Sequence, residues 1–201
     1  TARAQLAETQ GQDQTEVQTE LPEQAAALPS LQRVVSLENL GRPQGVQLSG
    51  VNRRAQLSAG VRLDELVTEA SLALRMIYPP GMRHDQSFLR VYVNDQLTAI
   101  SQLSEARAGN LHTVFIPLEP ELFTDFATVT LEFDATYDDT CVSPQNPTLR
   151  LDIRPESTLR ISYQPLALVD DLAILPAPFF DPRDNNRLQL PMVLPAERTP
   201  N

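Results

Sequence analysis

The chain of 201 residues is 41% apolar, enough for one core-bearing domain with flanking segments. Its formal charge is −10 and all sixteen basic residues are arginine, a balance that repels phosphate backbones and anionic lipid and so excludes general nucleic-acid or membrane-surface binding. The single cysteine, Cys141, excludes an internal disulfide framework and a cysteine-based zinc site.

Residues 1–32 are rich in Gln, Glu, Thr and Ala and carry few large apolar side chains. Such a stretch cannot bury enough surface to offset the entropy of ordering and is expected to be disordered. No charged n-region and apolar h-region mark a signal peptide, and no apolar run in the chain reaches bilayer length.

From Arg33 the pattern changes to short apolar runs separated by Gly, Pro, Asn and Asp. Val34, Val35, Leu37 and Leu40 come first, then Val46, Leu48 and Val51, then Leu57, Val61 and Leu63. Residues 70–78, 88–93, 97–100, 112–116, 127–133 and 158–163 continue the series. Runs of this length and spacing predict an all-β sandwich over residues 33–168. A two-layer jelly-roll β-sandwich is the expected topology, with a generic Greek-key sandwich as the alternative. Asn94-Asp95 between two runs predicts a hairpin turn. The period of two in residues 128–133 places Val129, Leu131 and Phe133 on the core face, and the same alternation assigns Phe115 to the core. Residues 103–109 and 119–126 are not strand-like; a helical turn after Pro120 would bring Leu122, Phe123 and Phe126 against the sandwich.

Residues 169–201 read as a connector. Pro176, Pro178 and Pro182 fix φ and remove backbone donors, so the stretch cannot continue a helix or a central strand. It carries the adjacent pair Phe179-Phe180 between acids, including Asp181 and Asp184, an apolar pair that must dock on something. The apolar run of residues 187–194 then opens a further strand.

Several separated motifs give a resemblance. They are Asn39-Leu40-Gly41, Leu48-Ser49-Gly50-Val51, Tyr78-Pro79-Pro80, Val93-Asn94-Asp95, the Tyr137-to-Cys141 stretch, Ser157-Thr158-Leu159, the run from Tyr163 to Leu168, and the connector itself. In that order they resemble the periplasmic regulatory subunit of bacterial cellulose synthase, from about residue 35 to about residue 195. The resemblance implies a carbohydrate-binding-type jelly-roll followed by a flavodoxin-like domain, the pair repeated once before a membrane anchor. This chain would hold the first jelly-roll and the start of the first flavodoxin-like domain, with anchoring only through the missing C-terminal region. The implied setting is the periplasm at the inner membrane, the implied partners the catalytic cellulose synthase subunit and the nascent β-1,4-glucan. Cys141 is then either a buried small hydrophobe or the partner of a cysteine beyond residue 201.

No catalytic constellation is expected. His84 and His112 stand alone, without a nucleophile motif or further metal ligands. The neighbouring pairs Asp138-Asp139 and Asp170-Asp171 would point in opposite directions in extended chain, not across one sugar. The chain is expected not to be an enzyme and to need no cofactor. Arg150 and Arg154 match the RxxxR spacing that clamps cyclic di-GMP in PilZ domains, a label this family has carried. The companion element is missing, however, and Arg150, Asp152 and Arg154 on one strand face read as a solvated ion-paired ladder. Direct binding of this messenger is not expected.

Carbohydrate binding needs flat aromatic faces with amides and carboxylates around them. There is no tryptophan, and aromatics are 5% of the chain. Tyr78, Tyr92 and Tyr137, next to turns or at strand positions of uncertain face, are the better candidates for such a platform. The best set is Tyr137, Asp138, Asp139 and Asn146 in the polar loop around Cys141, although Leu149 and Thr136 stand where the family often has tryptophan and histidine. The competing reading is a structural loop whose Asp and Asn cap turns. Phe179, Phe180, Asp181 and Asp184 are expected to dock between the jelly-roll and the following domain. A purely assembling domain, with possible self-association and no glucan contact, is the alternative function.

Overall fold

The structure, a computed structural model, describes residues 30–50, 52–137, 150–167, 172–176 and 180–183. Its regular elements are strands and single 3-10 turns. The alternation of apolar and polar residues decides which face each strand buries. In β4 (Glu65–Ile77), Ala70, Leu72, Leu74 and Met76 are buried while Ser71, Ala73 and Arg75 face the other way. In β8 (Phe126–Asp134), Val129, Leu131 and Phe133 are fully buried, as the alternation required.

One sheet contains β1 (Leu31–Ser36), β10 (Thr158–Pro165), β4, β9 (Arg150–Ile153) and β2 (Val46–Ser49), with β7 (His112–Leu118) on the far side of β4. The other runs β3 (Arg54–Gly60), β8, β5 (Phe88–Val93) and β6 (Gln96–Gln102). All pairings are antiparallel. Strand β10 pairs with β1 and β9 with β2, and both lie against β4. The first and last strands are therefore each a single interrupted strand. Counted that way, the ten strands reduce to eight, in two sheets of order 1-8-3-6 and 2-7-4-5, which is jelly-roll order. The core between the layers is built from Leu48, Leu72, Leu74, Leu89, Val91, Leu131 and Leu151, each contributing about 1.5–3 kcal/mol by its burial.

Asn94 and Asp95 make the β5–β6 turn with φ of 50° and 64°, the left-handed pair of a type I′ hairpin. The Asn94 side chain also ties the turn down: its Nδ2 donates to the Leu122 carbonyl at 2.8 Å and its Oδ1 accepts from the Thr128 N–H at 2.9 Å.

Two aromatic assignments are corrected. Phe115 is 70% exposed, not core. In β7 the residues on either side of it in the alternation, Val114 and Ile116, are also apolar, so the pattern does not say which set faces inward. Pairing with β4 settles it: Ile116 and Leu118 turn inward and Phe115 lies on the outer face opposite Ala73. Phe126 is 67% exposed. The turn after Pro120 stops at Leu122, with Phe123 buried, and Phe126 is already the first residue of β8, where Ala127 takes the inward place.

Candidate functional site

Three loops meet at the end of the sandwich where β4 and β8 finish: residues 78–87, 103–111, and the chain that leaves β8 through Tyr137. Tyr78 joins the first two. It is 2% exposed, its hydroxyl donates to the Ser104 carbonyl at 2.7 Å, and its own carbonyl accepts the Gly109 N–H at 2.8 Å. The His112 ring meets it edge-on at 5.3 Å and His84 lies tilted at 6.0 Å. Burial pushes the Tyr78 phenol above its ordinary value. Tyr78 is thus a structural hub and not a sugar platform, which corrects the sequence expectation. The reason is its place directly after the inward-facing series that ends at Met76.

The third loop is clamped to the first. Met82 and Tyr137 form an isolated antiparallel bridge, the Arg83 N–H donates to the Thr136 carbonyl at 2.8 Å, and the Ser87 hydroxyl donates to the Arg83 carbonyl at 2.8 Å. The Thr136 N–H in turn donates to Ser87 Oγ at 3.1 Å. Tyr137 is half-buried against the core, and desolvation raises its phenol pKa.

Beside this bridge lies an open pocket of about 410 Å³ lined by Pro80, Gly81, Met82, Arg83, His84, Asp85 and Glu105. A second, of about 190 Å³, is lined by Ile77, Tyr78, Pro79, Gly109, Arg150 and Asp152. Met82, which bridges Tyr137, lines the first pocket, and Arg150 lines the second. Asp138, Asp139 and Asn146 lie outside the described residues. In the smaller pocket Arg150 Nε donates to Asp152 Oδ2 at 2.9 Å, while Asp152 Oδ1 is buried without a partner among the described residues. The walls therefore offer carboxylate acceptors and guanidinium donors, the complement of a row of sugar hydroxyls. Among the described residues no group of three or more His, Cys, Asp or Glu could hold a metal ion. Arg83, Asp85 and Glu105 were not singled out in the sequence; Tyr78-Pro79-Pro80 contributed only to the family resemblance, and the pocket arises from folding.

At the opposite end, where the chain leaves the sandwich, Asp181 is 4% exposed. Its carboxylate accepts from the Leu63 N–H at 3.0 Å and from Arg183 Nε and Nη2, both at 2.7 Å. Arg183 Nη1 reaches on to Asp125 at 2.7 Å. The Arg183 hydrogen bonds hold the Asp181 carboxyl well below the usual carboxylate range, against the upward push of burial. Phe180 beside it is half exposed; Phe179 and Asp184 lie outside the described residues.

Residues 30–165 of this jelly-roll match the family described as cellulose synthase BcsB, first CBM domain. The chain belongs to that family. Relatives of this BcsB module include proteins named cyclic di-GMP-binding protein. The one from Salmonella typhi is 38% identical over 87% of this chain and 23% of its own length. That of Escherichia coli O157:H7 is 40% identical over 75% and 19%. The Komagataeibacter xylinus protein is 28% identical over 79% and 20%. The chain spans about a fifth of the length of these relatives.

Proposed function

We propose that this chain is a non-catalytic periplasmic module of the cellulose synthase complex that contacts the nascent β-1,4-glucan released by the catalytic subunit and guides it onward. Attachment to the inner membrane would come from the polypeptide beyond residue 201. The observation that carries this reading is the placement of Tyr137 beside an open polar pocket at the loop end of a first-CBM-domain jelly-roll. Asp138, Asp139 and Asn146 would supply further hydroxyl partners. Titration of the chain with cellohexaose, followed by NMR, tests it. Localised shifts at residues 82–87 and 137–152, weakened by Asp139→Ala or Asn146→Ala, are expected. No shifts at about millimolar ligand, a concentration where even a binding energy near −4 kcal/mol would register, would overturn the reading.

In this reading Arg150 and Arg154 form no clamp for cyclic di-GMP. Arg150 is engaged by Asp152, and titration with the dinucleotide should leave the spectrum unchanged.

The second reading, an assembly module, is favoured by the exit end. Leu63, Leu66, Leu166 and Phe180 are all exposed around the docked Asp181. Phe179, Phe180, Asp181 and Asp184 would there seat the jelly-roll on the domain that follows. A Cβ at Gly60 would overlap the Arg183 carbonyl and come within 2.8 Å of its Cα. Gly60→Ala should therefore release residues 181–183 and, in the longer polypeptide, loosen the following domain while the sandwich stays folded. Unchanged hydrogen-exchange protection at the Leu63 amide in that variant would count against this docking.

A further inference from the structure

A carboxylate oxygen can only accept hydrogen bonds, and a buried one without a donor is destabilising, so native structures keep few of them. Among the described residues the buried side-chain atoms that lack a partner are Arg33 Nε, His112 Nε2, Thr130 Oγ1 and Asp152 Oδ1. The first three line neither pocket at the loop end; Asp152 lines the smaller one. Its backbone is held from both sides, by pairing with Gln47 of β2 and Ile77 of β4, so the carboxylate stands at a rigid point of the sheet.

The rest of that pocket is chemically divided. Ile77 and Pro79, both half-buried, supply apolar surface, and the Gly109 wall is bare backbone, where a Cβ would meet nothing within 4 Å. Arg150 supplies the polar edge: its Nε donates to Asp152 Oδ2, while its Nη groups have no partner among the described residues. A ligand that fits must present donors to Asp152, acceptors to Arg150 and an apolar face between them. A free ammonium meets only the first demand and is repelled by the guanidinium. A phosphate or carboxylate meets only the second and is repelled by Asp152. Neighbouring hydroxyls on a saturated ring meet all three, since each hydroxyl both donates and accepts. The volume of about 190 Å³ lies below the roughly 300–1,000 Å³ of pockets for drug-sized ligands and so suits a single ring.

Resting on the reading of this module as glucan-contacting, we propose that this pocket seats one pyranose ring of the glucan and that Asp152 is the residue that reads its hydroxyls. The χ2 torsion of an aspartate is soft, and the Arg150 side chain is 48% exposed. A small rotation of the carboxylate, with Arg150 following, therefore carries Oδ1 into the pocket. The apolar face of the ring then lies on Ile77 and Pro79, a neighbouring pair of hydroxyls donates to Asp152, and Arg150 donates to a sugar oxygen. The oxygen left unpaired in the free protein is the one that the ligand satisfies.

NMR titration of the 201-residue chain with cellobiose and with cellohexaose tests it. Both sugars are expected to shift the Ile77, Gly109 and Asp152 amides. In Asp152→Asn the amide oxygen keeps the Arg150 bond, and an NH₂ group, which cannot accept, replaces the orphaned oxygen. Affinity should fall roughly tenfold or more while Tm stays level or rises, because binding loses an acceptor and the fold loses an unsatisfied charge. Glu156→Gln, the same loss of charge outside the pocket, should leave affinity unchanged. An Asp152→Asn variant that binds like the parent overturns the proposal, as does equal weakening by Glu156→Gln, which would make the effect one of net charge. Weaker binding together with an earlier melt assigns Asp152 a structural role and also overturns it. Cellohexaose shifts at residues 82–87 and Tyr137 without any at Ile77, Gly109 and Asp152 overturn this subsite and leave glucan contact standing. No shift with either sugar removes both.

Discussion

Glu65→Gln should be among the most damaging single polar changes in this molecule. Arg33 Nη1 donates to both Glu65 oxygens, at 2.8 and 2.9 Å, and Nη2 donates to the Gly60 carbonyl at 3.1 Å. The two side chains are only 8% and 4% exposed. Glu65 Oε2 also accepts the Arg62 N–H at 3.3 Å, while Arg33 Nε already lacks a partner among the described residues. A carboxamide keeps the shape but leaves the guanidinium buried and uncompensated, with an NH₂ group among donors. Breaking a buried pair in this way costs about 3–5 kcal/mol, a large part of the roughly 5–15 kcal/mol that holds a domain folded. At about 2–4 °C per kcal/mol for a chain of this length, Tm should fall by roughly 6–20 °C. Replacing both partners, Arg33→Met with Glu65→Leu, removes the desolvation cost along with the attraction and should lie within about 2 kcal/mol of the parent. Denaturant unfolding of parent, single and double variants at neutral pH reads these differences. The Arg54–Glu132 pair, whose guanidinium lies in solvent, serves as control, and Arg54→Gln should leave the unfolding midpoint nearly unchanged. A Glu65→Gln cost below about 1 kcal/mol would refute the premise that the pair is desolvated. A double variant as damaged as the single would refute the claim that an orphaned charge is the cause.

Two further outcomes follow from groups at the two ends of the sandwich. The Asp181 carboxyl is depressed below its ordinary value of 3.8, so it protonates more readily in the undocked segment than in the docked one. Docking of residues 181–183 should therefore be fully stabilised above about pH 5 and weaken as pH falls below about 4, seen as faster intrinsic-rate-corrected exchange at the Leu63 amide. Asp181→Asn should abolish that acid dependence; a dependence that survives would assign it to another carboxylate. Tyr78→Phe removes the 2.7 Å bond to Ser104 and should cost about 1 kcal/mol of stability while leaving cello-oligosaccharide shifts in place. Loss of those shifts together with the hydroxyl would show that the hub takes part in ligand contact.

The fold class was legible in the residue pattern. Short runs of period two with Gly, Pro and Asn-Asp punctuation admit few architectures, and Val129, Leu131 and Phe133 fell on the core face because only one of their two alternating sets is apolar. The Asn94-Asp95 hairpin was equally local, since few residues other than glycine accept consecutive positive φ. Tertiary structure alone decided the rest. Phe115 sits in a run where both sets are apolar, so only pairing with β4 could turn it outward. Tyr78 directly precedes the Pro79-Pro80-Gly81 turn, yet the hydroxyl bond to Ser104 spans 26 residues and needs both loops in place. Arg33 and Glu65 are 32 residues apart, Asp181 and Leu63 are 118 apart, and the polar pocket beside Tyr137 draws Glu105 from a different loop. Periodicity records which face of a strand is apolar. Which distant side chain completes a charge, a hydroxyl or a pocket wall depends on how the strands are ordered in space, and that order is fixed by the packing of both sheets together.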